Sequence, residues 1–155
     1  MAPFEIRTLP SQPTMSIRGW ITVPEISSAI GARLPAVWQY VESAGGRVAG
    51  PPFTRYHVID GDRIDFEAGL PVVSALSPSG PIAPATLPGG EAAVAVHIGP
   101  YEGLPATGQR LAAWIAEQGR VAAGPNWESY VTDPGMEHDP ANWRTEILTP
   151  LWPPA

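Results

Sequence analysis

Gly46-Arg-Val-Ala-Gly-Pro-Pro-Phe-Thr-Arg-Tyr56 is echoed further along the chain by Gly119-Arg-Val-Ala-Ala-Gly-Pro-Asn-Trp-Glu-Ser-Tyr130. The steps Gly50-Pro51 and Gly124-Pro125 stand 74 positions apart, and Tyr56 and Tyr130 keep the same spacing. An internal repeat dictates architecture, because each copy builds the same supersecondary unit. Two similar modules are expected, related by a pseudo-two-fold, with a shared groove between them. The copies differ at one chemically telling place: Glu128 stands where the first copy has Thr54.

Outward from the first copy, Met15 to Val23 is β-branched and aromatic and reads as a strand. From Glu25 to Ala44 the pattern is helical, with Leu34, Val37, Trp38 and Val41 on one face. Pro35 is expected in the first turn, where no N–H is needed, and Gly45-Gly46 ends the helix. Phe53 to Ile59, a turn at Asp60-Gly61-Asp62, and Ile64 to Val73 read as a hairpin. Around the second copy the order recurs. Ala92 to Ile98 is a strand and Leu104 to Gln118 a helix closed by Gly119. Trp127 to Val131 is a strand, Asp133-Pro134-Gly135 a turn, and a last strand lies near Trp143 to Leu148. Glu67 and Glu146 correspond at an offset of 79, so the second hairpin loop is the longer one.

The reading is an α+β fold of tandem duplicated strand-helix-strand-strand modules. The antiparallel sheet carries its helices on one face, and a central groove is left for a ligand. Module one runs from about residue 14 to 75, a Pro/Ser/Gly linker with a short edge strand from about 76 to 90, and module two from about 91 to 151. Residues 1–14 form a lead-in with three prolines.

Composition narrows the function. At 44% hydrophobic and 15% charged, the chain can build a real core and is globular. A net charge of −6 argues against direct nucleic-acid binding, which needs a basic face to displace counterions. There is no cysteine, so disulfides, thiolate zinc sites and cysteine nucleophiles are excluded, and a cytoplasmic home fits. No leader pattern and no membrane span is evident. His57, His97 and His138 lack metal-ligand spacing, so no metal is expected. No phosphate loop or nucleophile elbow is present, so no cofactor is expected either.

The ordered set His97-Ile-Gly-Pro-Tyr101, Leu111-Ala-Ala-Trp114, Trp127-Glu-Ser-Tyr130-Val-Thr-Asp-Pro134 and Trp143-Arg-Thr-Glu-Ile147 resembles the GyrI-like small-molecule-binding domain. That domain is also the effector-binding part of multidrug-responsive bacterial regulators. Arg55-Tyr-His57, Asp65-Phe-Glu-Ala-Gly-Leu-Pro-Val72 and Leu87-Pro-Gly-Gly90 are similar to its first-half and mid-linker motifs. The resemblance implies a central pocket lined by aromatics around one buried glutamate. It admits three roles: binding a bulky hydrophobic, aromatic or cationic small molecule, opening cyclopropane rings of DNA-alkylating natural products, or binding a protein partner such as gyrase. The resemblance takes up nearly all of this sequence, leaving no room in it for the helix-turn-helix of the regulators, so direct transcription control is not expected unless a partner supplies the DNA-binding module.

Glu128 is the leading site residue, as ligand anchor or as general base. On a strand it shares a side with Tyr130, which would position a ring or water. Taken by itself, such a carboxylate sits either on a solvated face or in a pocket; the resemblance favours the pocket. Tyr101 and Tyr130 are candidate wall residues, each offering an apolar ring and a polar tip. Tyr56, Trp38 and Tyr40 are further candidates from module one, although Trp38 belongs to the helical stripe and is expected in the core. Trp127, opposite Glu128 in the alternation, is a candidate expected to pack under the helices. Glu146 is a candidate at the groove rim, and Glu67 is expected to be an ordinary exposed strand carboxylate.

Overall fold

The computed structural model describes residues 4–154; the first three residues of the lead-in, and Ala155, lie outside that range. In chain order the elements are β1 (Phe4–Leu9), β2 (Gln12–Thr22), α1 (Ile26–Ser43), β3 (Phe53–Asp60), β4 (Arg63–Pro71), β5 (Ile82–Leu87), β6 (Gly90–Ile98), α2 (Leu104–Glu117), β7 (Trp127–Tyr130) and β8 (Arg144–Pro150). Every strand pair within the two compact units is antiparallel, as an α+β fold requires. One unit is Ser11–Pro88; the other joins the residues up to Pro10 to those from Gly89 onward.

In the Ser11–Pro88 unit the strands lie in the order β3-β4-β2-β5. The helix entry is fixed by Glu25, whose carboxylate accepts from the backbone N–H and the hydroxyl of Thr22, both at 2.8 Å. Ala29, Val37 and Val41 of α1 are buried, and with Ile26, Ile30, Leu34 and Tyr40 they cover Met15, Ile64, Phe66, Ala68 and Leu70 of the sheet. Period-2 alternation then turns Asp65 and Glu67 to the sheet's other side.

Two expectations about this helix are corrected. Pro35 sits well inside α1 rather than in its first turn. The Thr22–Glu25 contact starts the helix far upstream, and burial of the Ile26–Leu34 stripe outweighs the hydrogen bond proline cannot make. Trp38 is 45% exposed rather than core. It lies just past the edge of the Ile30–Leu34–Val37–Val41 stripe, and its indole N–H donates to Glu42 Oε1 at 2.5 Å.

The β3–β4 hairpin forms as the turn chemistry demands, with Gly61 at φ +62° and Asp60 opposite Arg63. The linker supplies β5, an edge strand on β2. The lead-in differs from expectation, because Phe4–Leu9 is a strand paired with β6 and Gln12 already belongs to β2. Phe4 and Ile6 are drawn in by the α2 core, where the Phe4 and Trp114 rings lie 5.8 Å apart.

The second unit repeats the plan in the order β7-β8-β6-β1. Leu104, Leu111 and Ile115 of α2 pack on Ala93, Ala95 and Ile147. Gly119 takes φ +68° just past the helix, a conformation that costs glycine little. The connection between β7 and β8 is much longer than the tight β3–β4 turn, as the larger offset of Glu146 requires. Among the described residues no helix is long and apolar enough to cross a membrane.

Candidate functional site

Register decides which side of β7 faces α2. Glu128 stands opposite Ile147, which belongs to the α2-facing core, so Glu128 and Tyr130 lie on the helix side of the strand. Trp127, opposite Leu148, is buried on the other side. The expectation that Trp127 packs under the helix is therefore reversed: Ile147, not Leu148, interdigitates with Leu111 and Ile115.

Glu128 is half-buried and has a specific partner. The Tyr130 hydroxyl donates to Glu128 Oε1 at 2.9 Å. Desolvation pushes the Glu128 carboxyl above the usual carboxylate range; the Tyr130 hydrogen bond and nearby His97 pull the other way without cancelling it. Tyr101, in the short turn leading into α2, meets the Tyr130 ring edge-on at 5.6 Å. Its other neighbour is Trp143, with ring centroids 4.8 Å apart. The Trp143 indole N–H is fixed by donation to Glu137 O at 2.8 Å. Burial also raises the Tyr101 phenol's pKa, with Asp133 adding to the effect, so its hydroxyl stays protonated.

His97 braces this arrangement from β6. Its Nε2 donates to Pro100 O at 2.9 Å, and Nδ1 accepts from the Thr107 hydroxyl at 2.8 Å; that hydroxyl's oxygen in turn accepts from Arg110 at 3.0 Å. The seat is close-fitting: a Cβ on Gly103 would fall 2.6 Å from His97 Cε1. The imidazole thereby ties the strand end carrying Tyr101 to the first turns of α2.

The structure thus brings together Glu128, Tyr130 and Tyr101, and adds Trp143 and His97. Both additions lie within motifs that carry the resemblance, but nothing in their spacing marks them as neighbours of Glu128. The remaining candidates have other surroundings. Glu146 turns to the opposite side of β8 from Ile147 and is held by Arg7 at 3.2 Å and Arg144 at 3.5 Å. Tyr56 packs on Phe66 at 5.3 Å beneath α1, and the Tyr40 hydroxyl donates to Ser77 O at 2.5 Å. Glu67 contradicts its expected exposure. It is only 5% exposed, because His57 and Ser16 both bind it from the neighbouring strands.

Comparison with known proteins places this geometry in context. A family model described as the GyrI-like small molecule binding domain matches residues 2–151. Comparison with curated protein sequences finds no match. Among solved structures, the EcmrR C-terminal domain superposes with a TM-score of 0.87 at 24% identity, covering 98% of each chain. In a cryo-EM complex of EcmrR with DNA the TM-score is 0.86 at 26% identity; 97% of this chain is covered, and it spans 57% of the EcmrR chain. A hydrolase from Listeria innocua shares the fold at 13% identity, with a TM-score of 0.67 over 96% of this chain and 91% of that one. So does SAV2435 bound to tetraphenylphosphonium, at 15% identity and a TM-score of 0.61 over 97% and 94% of the two chains.

Proposed function

The chain belongs to the GyrI-like small-molecule-binding domain family, and from that premise we propose that it binds bulky hydrophobic or cationic compounds, with Glu128 as the anchor. The observation that carries this reading is a half-buried carboxylate whose charge is disfavoured, set beside the rings of Tyr130, Tyr101 and Trp143. An organic cation relieves the desolvation cost of the ionised glutamate. Each aromatic face adds about 0.5–2 kcal/mol of cation–π attraction. The Tyr130 hydroxyl holds the carboxylate in one orientation, so little is lost on ordering it. The cysteine-free composition suits a cytoplasmic setting.

A panel of lipophilic cations and planar aromatics, read by thermal shift, tests the proposal. Stabilisation by members of the panel, weakened tenfold or more in apparent affinity by Glu128→Gln, is the expected outcome; undiminished binding by the variant removes Glu128 from the account.

One feature also favours a second reading, hydrolysis of strained-ring electrophiles. A carboxyl with a raised pKa, hydrogen-bonded to a tyrosine, is suited to draw a proton from an attacking water as general base. In that reading the water oxygen bonds to a ring carbon as the strained C–C bond breaks, Glu128 Oε2 takes the water proton and returns it to the atom left with the electron pair, and Tyr130 and Tyr101 orient the ring. Incubation with a cyclopropane-bearing alkylator and mass spectrometry for water addition decides it. Binding without turnover leaves the first reading alone.

A further inference from the structure

The Ser11–Pro88 unit carries a charged cluster on the helix-free side of its sheet. Register sets Arg18 of β2 and Arg55 of β3 opposite Glu67 from its two flanks. Both Glu67 oxygens are engaged, with Ser16 Oγ donating to Oε2 at 2.5 Å and His57 Nε2 donating to Oε1 at 2.6 Å. Arg18 forks onto Asp65, its Nη2 at 2.8 Å and Nε at 3.1 Å. A hollow of about 370 Å³ opens at this point, lined by Ser16, Arg18, Arg55, His57 and Glu67, and walled by Pro81 and the strand β5. That volume is at the lower end of the range for small-molecule sites, about 300–1,000 Å³.

We propose that this hollow is a second binding site, for a small organic carboxylate with an apolar body. Two guanidiniums line it: Arg18, whose Nε and Nη2 are already held by Asp65, and Arg55, a planar group of the kind that pairs with carboxylates. Arg55 is half-buried, and desolvation disfavours its charge. An anion beside it relieves that cost whatever hydrogen bonds the guanidinium already makes. An organic cation fits poorly, because Glu67 has both oxygens occupied and stands between two arginines. The opposite wall is uncharged: Pro81, Ala83, Pro84 and Ala85 offer hydrocarbon, so a ligand with an apolar body is covered on both sides.

Calorimetric titration of the full chain with benzoate and with succinate, against sulfate at matched ionic strength, tests the assignment. Saturable binding of at least one carboxylate is expected, weakened tenfold or more by Arg55→Gln and unchanged by Arg47→Gln, which removes an exposed arginine of the same unit. No saturable heat with either carboxylate, equal binding of sulfate, or wild-type affinity in Arg55→Gln overturns the assignment. Should Arg55→Gln fail to fold by circular dichroism, Arg18→Gln, whose side chain is half exposed, carries the same test.

Discussion

Glu128 holds a charge that its surroundings disfavour, and the sign of its pH response follows. Burial raises its pKa in the folded state above the unfolded value. The folded protein therefore binds the proton more tightly, and the associated stability is present below the unfolded pKa, about 4.3. It is lost as pH rises through the higher folded value. Glu128→Gln should accordingly be at least as heat-stable as the wild type at pH 8, and should lose the wild type's relative gain at low pH. Melting curves across pH 4–8 check this. Cation binding should run the other way, strengthening as pH rises and Glu128 ionises. Tyr130→Phe removes the hydrogen bond to Oε1. It should shift that binding profile to higher pH and weaken binding by about 1–3 kcal/mol, read by titrating one lipophilic cation at several pH values.

At the scale of the element, β4 and α1 make separate predictions. Gly69 lies where β2 crosses closest: an added Cβ would sit 2.4 Å from Met15 O and 2.5 Å from Ser16 Cβ. The first of these is backbone and has nowhere to move. Gly69→Ala should cost about 1–3 kcal/mol or more through overpacking, measured by urea unfolding. Pro35 should act in the opposite sense. Its ring removes one hydrogen bond from the interior of α1, so Pro35→Ala should stabilise by about 1–2 kcal/mol, net of the stiffness proline gives the unfolded chain. These two elements also show where local reading succeeds. The β3–β4 hairpin and both helix ends were legible because Asp60-Gly61-Asp62, Gly45 and Gly119 act locally. Pro35 was not legible because the helix start depends on the upstream contact between Thr22 and Glu25, and Trp38 was not because it lies just past the edge of the packed stripe.

Across the described residues, the repeat is realised as two units, each contributing four antiparallel strands in the same internal order and one α-helix. Their edge strands come from outside the repeated segment: β5 from the linker and β1 from the lead-in. The first edge was legible as a proline-punctuated stretch. The second was not, because Phe4–Leu9 pairs with Gly90–Ala95, more than 80 positions away. The site was legible to the same degree. Alternation showed that Glu128 and Tyr130 share a side, but only the Ile147 register shows that the side faces α2. The burial of Glu67 was hidden too, since it depends on His57 across a β-bulge on one flanking strand and on Ser16 of the other. Between the copies, Thr54 is fully buried opposite Ala68, while Glu128 is half-buried opposite Ile147. One scaffold position thus holds a neutral side chain in one unit and an ionisable one in the other. The most direct measurement of what that difference does is calorimetric titration of the wild type and Glu128→Gln with tetraphenylphosphonium at pH 8. Saturable binding by the wild type and at least tenfold weaker binding by the variant are expected; equal affinities, or no binding by the wild type, would overturn the role given to Glu128.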